Sequence, residues 1–266
     1  MTTEMPCVLA IGGLDPSGGA GLPADARAIA AFGGHCCGIA TAVIAQNTRG
    51  VALVEAVSQK LLAAQLDHLL EDITPRAVKI GMLPNIGAAA IVLARLRQLP
   101  AVPVILDTVF APSHGPRFAD AGTVLHIANS LIPLADVVTP NVPEAMQLAD
   151  MTIRDRESQV AAAQFIYQRF GPRHVLIKGG HPLEGAAEAT EAVDVFFDGQ
   201  NLTALRAPRV LGYEVRGTGC LLASAIAAQR AHDVPAAEAV RGAKAWLTAQ
   251  IREAQAIGHG RRVAAI

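Results

Sequence analysis

Short apolar runs alternate along the chain with longer segments in which apolar residues recur at helical spacing. The apolar runs predict strands at residues 8–13, 39–45, 51–57, 77–82, 102–109, 136–141 and 174–179. The periodic segments predict helices at residues 23–32, 61–70, 86–97, 144–149, 158–170, 220–231 and 236–256. Residues 192–198 and 202–205 flank a short polar turn and predict a hairpin at the sheet edge. This alternation indicates an α/β fold with a mainly parallel sheet.

Nothing in the sequence divides the chain, since it contains neither a linker rich in Pro and Ser nor an internal repeat. We therefore predict a single domain over residues 1–266. Residues 183–190, which include Gly185 and two glutamates, are the best candidate for a mobile flap. We expect the tail at residues 258–262 to fray, because it is polar and basic.

Composition and charge limit the classes of function that the chain can have. Hydrophobic residues make up 52% of the chain and charged residues 17%, as in a compact folded protein. The formal net charge of −1 and the aromatic content of 4% argue against nucleic acid as the main partner. The four cysteines form no Cys-x-x-Cys pair, which argues against a zinc site. Without a signal peptide or an apolar stretch long enough for a bilayer, we expect a cytoplasmic protein with no membrane partner.

The most informative motif is Gly217-Thr218-Gly219-Cys220, which opens an Ala-rich helical segment. A glycine turn at a helix start leaves backbone N–H groups unpaired and lets an anion approach closely. The positive end of the helix dipole at this turn would also lower the pKa of the Cys220 thiol. The motif therefore suggests phosphoryl transfer with a base inside an anion cradle, and the alternative is a helix start with a buried cysteine.

A second glycine-rich turn follows the first predicted strand, at residues 12–21. It contains a G-x-G-x-x-A match at residues 19–24, but no acid follows about 20 residues later to bind a ribose. No Lys follows the glycines, which excludes a Walker A loop. Asp25, in the first turn of the next helix, is placed either to reach back towards a ligand or to complement the helix dipole in solvent.

Polar residues also end the other predicted strands. Gln46 follows an apolar strand and can donate and accept at once, as recognition of a heteroaromatic edge requires, although amides also simply begin loops. Lys79 and Asp107 lie at further strand ends. Because ligands of parallel sheets bind outside the carboxyl ends of the strands, we expect these residues to line one crevice.

Taken together, six segments resemble the hydroxymethylpyrimidine kinase/phosphomethylpyrimidine kinase family of thiamine biosynthesis, in the ribokinase-like superfamily. The segments are residues 12–25, 41–48, 78–82, 139–145, 178–181 and 217–220. The resemblance extends over residues 8–256 and implies a three-layer α/β/α ribokinase-like sandwich. It also implies ATP and Mg²⁺ as cofactors, hydroxymethylpyrimidine and its monophosphate as small-molecule substrates, and a homodimer.

The resemblance assigns roles to individual residues. The pyrimidine would lie on the turn at Gly12 and Gly13, with Gln46 at its amide-like edge and Asp25 near its polar substituents. Apolar walls would come from Met82 and Val109. Cys220 would take the proton of the hydroxymethyl group, while the backbone of Gly217, Thr218 and Gly219 stabilises the transferring phosphoryl group.

The nucleotide and metal roles fall on later segments. Asp107 and Glu144, with Asn141, resemble the family's Mg²⁺–water site, although Asn141 and Glu144 equally fit a helix capping box. Lys178 would contact the nucleotide phosphates. Lys244 could cover the adenine, or it could be a solvated lysine.

This sequence departs from the family pattern at three places, namely Arg216 in place of His, Thr108 in place of Pro, and Ser113-His114-Gly115 in place of Lys-Ser-Gly. The missing lysine leaves the second phosphorylation open, and Arg216 is a candidate replacement as an anion contact. Three alternative functions remain: a pyridoxal or pyridoxine kinase, a non-catalytic pyrimidine sensor, and, from the G-x-G-x-x-A match, an NAD-dependent oxidoreductase.

Overall fold

The computed structural model of the chain describes residues 5–112, 115, 117–180 and 190–266. The strands are β1 (Cys7–Leu14), β2 (His35–Gln46), β3 (Val51–Ala56), β4 (Ala77–Ile80), β5 (Val104–Leu106), β6 (Val137–Val138), β7 (His174–Ile177), β8 (Glu191–Phe197), β9 (Leu202–Pro208), β10 (Val215–Arg216) and β11 (Arg262–Val263). The helices are α1 (Gly21–Ala31), α2 (Gln59–Leu70), α3 (Ile86–Leu96), α4 (Ala121–Ser130), α5 (Val142–Ala149), α6 (Arg156–Phe170), α7 (Thr218–Ala231) and α8 (Ala236–Arg252). A 3₁₀ turn at Ile132–Leu134 follows α4.

Nine strands form one sheet in the order β3-β2-β1-β4-β5-β6-β7-β8-β9. The six strands from β2 to β7 in this order are parallel. β3 pairs antiparallel with β2, and the hairpin of β8 and β9 extends the sheet antiparallel beyond β7. The predicted parallel sheet and its edge hairpin are therefore confirmed.

Apolar side chains cover both faces of the sheet, as the near-continuous hydrophobicity of its central strands requires. Leu9 and Ile11 of β1 pack into a core shared with helices α2 to α6. Val8 and Ala10 point the other way, into a core shared with α1, α7 and α8. The molecule is thus the three-layer α/β/α sandwich that the sequence predicts.

Helix α7 is the most deeply buried helix that carries candidate chemistry. Its side chains from Leu221 to Ala228 are all buried, because Ala and other small residues allow the sheet, α1 and α8 to approach closely. Packing on all sides fixes the direction of α7. Its N-terminus is therefore held rigidly at the carboxyl edge of the sheet.

The structure differs from the sequence predictions at helix α4, at the C-terminal tail and in the short strands β10 and β11, which are not predicted. Helix α4 is absent from those predictions, because Gly122 weakens its pattern, and its start is fixed by Asp120, which accepts a 2.7 Å bond from Thr123 N. The tail predicted to fray is instead ordered, since β11 pairs with β10 and Val263 is only 6% exposed. The predicted flap, apart from Thr190, lies outside the described residues.

Candidate active site

The carboxyl ends of six parallel strands converge on one edge of the sheet, where most of the predicted site residues lie. Each residue lies in its strand or within three residues after it: Gly13 in β1, Gln46 in β2, Met82 after β4, Asp107 and Val109 after β5, Asn141 after β6, and Lys178 after β7. The N-terminus of α7, with Gly217 to Cys220, faces the same edge, because Gly219 lies beside Lys178 and Asp107. The structure thus brings these residues into one crevice.

Two glycine turns lie against each other at the centre of this crevice. Gly217, the N-cap of α7, has φ 67°, and a Cβ atom there would lie 2.0 Å from the carbonyl oxygen of Gly19. Gly21, at the start of α1, has φ 57°, and its Cβ would lie 2.2 Å from the carbonyl oxygen of Gly13. Only glycine permits these conformations and contacts, so backbone N–H groups of two helix starts are brought together.

Asp15 organises the first turn, although the sequence analysis assigns it no role. Its buried carboxylate accepts bonds from Ser17 N at 2.8 Å, Ser17 Oγ at 2.7 Å and Ala20 N at 2.9 Å. The turn is therefore closed by its own side chain before any ligand binds. An Asp near glycines in a strand–helix turn is a signal that could have indicated this role.

Cys220 is the third residue of α7, and its environment differs from the one predicted. Burial raises the pKa of its thiol to about 11, against the cation of Lys79 and the N–H of Gly21, which favour the thiolate. The predicted lowering by the helix N-terminus is therefore outweighed in the protein without ligand. At neutral pH Cys220 is a thiol that can donate to or accept from a bound hydroxyl group.

Asp25 lies in a fully buried ion pair, next to the glycine turn, where a Cβ on Gly12 would be 3.9 Å from Asp25 Oδ2. Lys79 Nζ bonds both carboxylate oxygens, at 2.8 and 2.9 Å, and Ser224 Oγ donates at 2.8 Å. Burial lowers the pKa of Lys79, but the charge of Asp25 and the neighbouring acidic groups more than offset this and raise it. The structure therefore adds an ion pair near Cys220, and the contact of Asp25 with substrate stays a prediction.

A second ion pair lies beside Gly219 at the α7 N-terminus. Lys178 Nζ is 2.6 Å from Asp107 Oδ1, which also accepts a bond from Thr139 Oγ1 at 3.2 Å. A Cβ on Gly219 would lie 3.2 Å from Lys178 Nζ and 3.6 Å from Asp107 Oδ2. A cation and a carboxylate therefore flank the glycine turn on which an anion would bind.

Asn141 and Glu144 form the capping box that is one of the two possibilities the sequence allows. Glu144 N donates to Asn141 Oδ1 at 2.9 Å, and Asn141 N donates to Glu144 Oε2 at 2.8 Å. Thr108 Oγ1 also bonds Glu144 Oε2, at 3.0 Å. Burial raises the pKa of Glu144 to about 7, although the charge of Lys178 opposes this shift.

The carboxylates of Asp107 and Glu144 suit Mg²⁺ held partly by water and phosphate. Among the described residues, no group of three or more His, Cys, Asp and Glu side chains could hold a metal by itself. Mg²⁺ commonly binds one or two carboxylates and completes its shell with water and substrate phosphates. Two neighbouring hard oxygen donors fit that pattern, and a bound cation would favour the ionised form of Glu144 against the effect of burial.

A small apolar cluster forms the wall beside Gly13. Ala42, Ile44 and Met82 are buried there, with Val109 packed against them. A Cβ on Gly13 would lie 2.7 Å from Ile44 Cδ1 and 3.1 Å from Met82 Sδ, so the missing side chain keeps this wall open at the turn. A flat ring can therefore lie on the backbone of Gly13 with apolar side chains beside it.

Gln46 and Arg216, distant in sequence, meet at the rim of this wall. Arg216 Nη2 donates to Gln46 Oε1 at 2.6 Å and lies 3.4 Å from Asp15 Oδ2. Arg216 is 4% exposed, and its Nε and Nη1 atoms have no hydrogen-bond partner among the described residues. The site therefore contains a buried cation with unused donors.

Lys244 has a partner that the sequence analysis does not foresee. Its Nζ lies 2.8 Å from Asp194 Oδ2, and Asp194 Oδ1 accepts a bond from Gly179 N at 2.8 Å. Lys244 is therefore neither a solvated lysine nor free to move over a ligand while this ion pair holds. It braces α8 against the end of β7 beside Lys178.

The fold and this site define a class of protein, the ribokinase-like kinases of small molecules. The phosphomethylpyrimidine kinase of Clostridium difficile 630 is similar over 92% of this chain and 99% of its own, with a TM-score of 0.79 and 33% identity. The pyridoxal kinase of Staphylococcus aureus in complex with ADP is similar over 99% of this chain and 94% of its own, with a TM-score of 0.90 and 27% identity.

Within that class, the sequence model described as phosphomethylpyrimidine kinase matches residues 15–264, and the chain belongs to this family. The hydroxymethylpyrimidine/phosphomethylpyrimidine kinase of Rhizobium meliloti is 41% identical over 255 residues, which are 95% of this chain and 94% of the relative. The thiamine biosynthesis bifunctional protein ThiED of Geobacter sulfurreducens is 40% identical over 253 residues, 95% of this chain. The chain spans about half the length of such bifunctional relatives. In the described part of the chain, no helix is both long and apolar enough to cross a membrane.

Proposed function

We propose that this chain transfers the terminal phosphoryl group of ATP to the hydroxymethyl oxygen of 4-amino-5-hydroxymethyl-2-methylpyrimidine. The observation that carries the proposal is the position of Cys220 in the first turn of α7, with Gly217 of the same turn lying against the glycine turn after β1. The names of the relatives, which are kinases of this pyrimidine and its monophosphate, support the substrate.

The protein contributes positioning and charge more than proton removal. Because the pKa of Cys220 is raised to about 11, the resting side chain is a thiol, which orients the hydroxyl group by hydrogen bonding. Cys220 accepts the hydroxyl proton only as the thiolate, after its own proton has left to solvent, while the new O–P bond forms and the bond to the departing ADP breaks. Phosphoryl transfer has a loose transition state, so it demands little from a base and much from fixed donors. The N–H groups of Gly217 to Cys220, together with Lys178, are those donors.

Asp107 and Glu144 are the residues that would hold Mg²⁺, with Asn141 fixing the orientation of Glu144 through the capping box. When bound, the ion would neutralise phosphate charge. We also propose ATP as the nucleotide, supported by pyridoxal kinases of this fold in complex with ADP and AMP-PCP. The homodimer, the cytoplasmic location and the single domain stay predictions.

The proposal is tested by incubating the purified protein with ATP and Mg²⁺ and one of three acceptors: the pyrimidine alcohol, its monophosphate or pyridoxal. Products are separated by anion exchange and identified by mass. We expect the pyrimidine alcohol to be phosphorylated at the highest kcat/KM. Formation of product from pyridoxal alone would contradict the proposal and favour the alternative that the similarity to pyridoxal kinase raises.

The second phosphorylation is a separate proposal, and Arg216 supports it. Two guanidinium nitrogens, Nε and Nη1, are buried without a hydrogen-bond partner among the described residues, and Arg216 directly precedes the glycine turn. An anionic substrate would satisfy these donors. Arg216→Ala should raise KM for the monophosphate by about tenfold or more, as loss of a charged hydrogen bond does. An unchanged KM for the monophosphate would remove this role of Arg216.

A further inference from the structure

Arg216 is held in one position by contacts on several sides. Its Nη2 atom bonds Gln46 Oε1 at 2.6 Å and lies 3.4 Å from Asp15 Oδ2, while β10, in which it lies, pairs with β11. Asp15 is fully buried and fixed by the turn that it closes. A Cβ on Gly19 would lie 3.3 Å from both Arg216 Nε and Val263 Cγ2, so the guanidinium fits between this turn and β11.

This contact determines which way the Gln46 amide faces. A guanidinium group has only donors, and a primary amide has one acceptor end and one donor end. Whichever amide atom faces Arg216 must therefore be the oxygen, which agrees with the 2.6 Å bond to Oε1. Turning the amide by 180° would set its NH₂ group against a buried cation that also only donates, with the loss of a charge-assisted bond.

Because its orientation is fixed, the Gln46 amide offers a ligand a defined pattern of one hydrogen-bond donor and one acceptor. Among the described residues, Nε2 of Gln46 has no hydrogen-bond partner. Oε1 accepts one bond from Arg216, so its second lone pair can still accept a bond from a ligand. A ligand edge that complements this pattern carries an acceptor for Nε2 beside a donor for Oε1. A ring nitrogen next to an exocyclic amino group has that arrangement, whereas the ring nitrogen of pyridoxal has no amino group beside it.

We propose that Arg216 is a specificity-determining positioning residue, which fixes the Gln46 amide so that the site selects rings with an acceptor nitrogen next to an amino group. This inference rests on the proposed function and deepens it. The inference concerns recognition of the ring edge and does not depend on the phosphate contact proposed above for Arg216. The alcohol substrate carries no phosphate, so measurements with it report on ring recognition alone.

The test compares 4-amino-5-hydroxymethyl-2-methylpyrimidine with its 4-oxo analogue, whose ring N–H and carbonyl reverse the donor and acceptor pattern. We expect the wild type to favour the amino compound by about 100-fold in kcat/KM, since two hydrogen bonds change from matched to opposed. Arg216→Met should reduce this ratio by about tenfold or more, mainly through KM, because the freed amide can turn to accept the reversed edge. Arg216→Lys, whose ammonium also only donates, should keep most of the ratio.

A double-mutant cycle with Gln46→Ala shows whether Arg216 acts through the amide. Once Gln46 is absent, Arg216→Met should have little further effect on the ratio. The proposal would be overturned if Arg216→Met reduced kcat/KM equally for both rings, or if the two substitutions had additive effects on the ratio. Arg216 would then have only a structural role.

The same variants are also titrated with both rings by calorimetry, which does not depend on turnover. A wild type that binds and discriminates the rings but transfers no phosphoryl group would overturn the proposed function and leave this inference standing. A wild type that phosphorylates the amino ring, with the same amino-to-oxo ratio in Arg216→Met, would overturn only this inference. A wild type that binds neither ring would overturn both.

Discussion

Single backbone positions set the geometry of the proposed phosphoryl-transfer centre. Gly217 has a positive φ and lies against the carbonyl of Gly19, so the chain there can neither carry a side chain nor move away without opening the crevice. Gly171, which ends α6, has a similar φ of 70°, but a Cβ added there would meet nothing within 4 Å. Substituting Ala at Gly171 therefore measures the destabilisation caused by the positive φ alone. The same substitution at Gly217 adds the destabilisation caused by the steric contact with Gly19.

Gly217→Ala should destabilise the protein by more than Gly171→Ala and should also abolish most of the activity. Strain at positive φ alone costs about 1–2 kcal/mol, and we expect Gly171→Ala to lose that much with unchanged kcat/KM. The contact with Gly19 adds to the loss at Gly217. Urea unfolding and the kinase assay measure both quantities, and equal effects of the two substitutions would show that the turns do not need their close approach.

At the scale of elements, α1 and α7 are joined by matched contacts one turn apart. The N–H of Gly21 favours the thiolate form of Cys220, and Ser224, four residues after Cys220, donates a hydrogen bond to Asp25, four residues after Gly21. Lys79 of β4 completes the ion pair with Asp25. The electrostatic environment of the thiol is therefore set by the charges of Lys79, Asp25, Asp107, Lys178 and Arg216.

This arrangement predicts opposite effects from the two halves of the ion pair. Lys79 lowers the pKa of Cys220 and Asp25 raises it, so Lys79→Met should slow alkylation of Cys220 at pH 9 and Asp25→Asn should speed it. The rate is followed by mass spectrometry of the Cys220 peptide, with Cys220→Ala as the control for the other cysteines. Changes in the same direction would mean that the pair acts only through packing.

The raised thiol pKa also predicts a pH dependence of stability. Between the ordinary value of 9.0 and about 11, the folded protein holds the Cys220 proton more tightly than the unfolded chain does. The contribution of this group to stability is thus complete below pH 9 and is lost as the pH rises through 11. Urea unfolding of Cys220→Ala should show a shallower fall in stability over this range than the wild type, and identical slopes would contradict the raised pKa.

Most elements can be predicted from the chain because their signals are local. Apolar runs such as that of β1 and the spacing of leucines in α2 carry the strand and helix assignments, and the strand ends locate Gln46, Asp107 and Lys178. The partners of Asp25, Lys244 and Arg216 cannot be predicted, because each contact joins distant segments whose pairing the local pattern does not contain. For the same reason β10 and β11 escape prediction, since each is too short to form without the other.

At the scale of the whole molecule, the C-terminal tail contacts the loop that follows Gln46. Arg261 N donates to Thr48 O at 2.9 Å and Gly260 N donates to Thr48 Oγ1 at 3.1 Å, just beyond Gln46. Val263 pairs with Arg216 across β10 and β11. The tail thereby connects the loop after β2 with the segment that leads into α7.

The amides of Arg261, Arg262 and Val263 should therefore be protected from hydrogen exchange, because each donates to a backbone carbonyl. Deletion of residues 260–266 should raise KM for the pyrimidine more than it lowers kcat, since it removes the support of Arg216 rather than the groups at the α7 N-terminus. Exchange of these amides at the rate of an unfolded chain would instead support the sequence-based expectation of a frayed tail.

The central claim is that phosphoryl transfer takes place at the N-terminus of α7 beside Cys220. The most direct measurement is steady-state phosphorylation of the pyrimidine alcohol by the wild type and by Cys220→Ala, with product quantified by mass. The account predicts that kcat falls by about 100-fold or more, because the variant loses the group that orients the hydroxyl and, as the thiolate, accepts its proton, while KM changes little. A kcat within about twofold of the wild type would place the chemistry elsewhere and contradict the account.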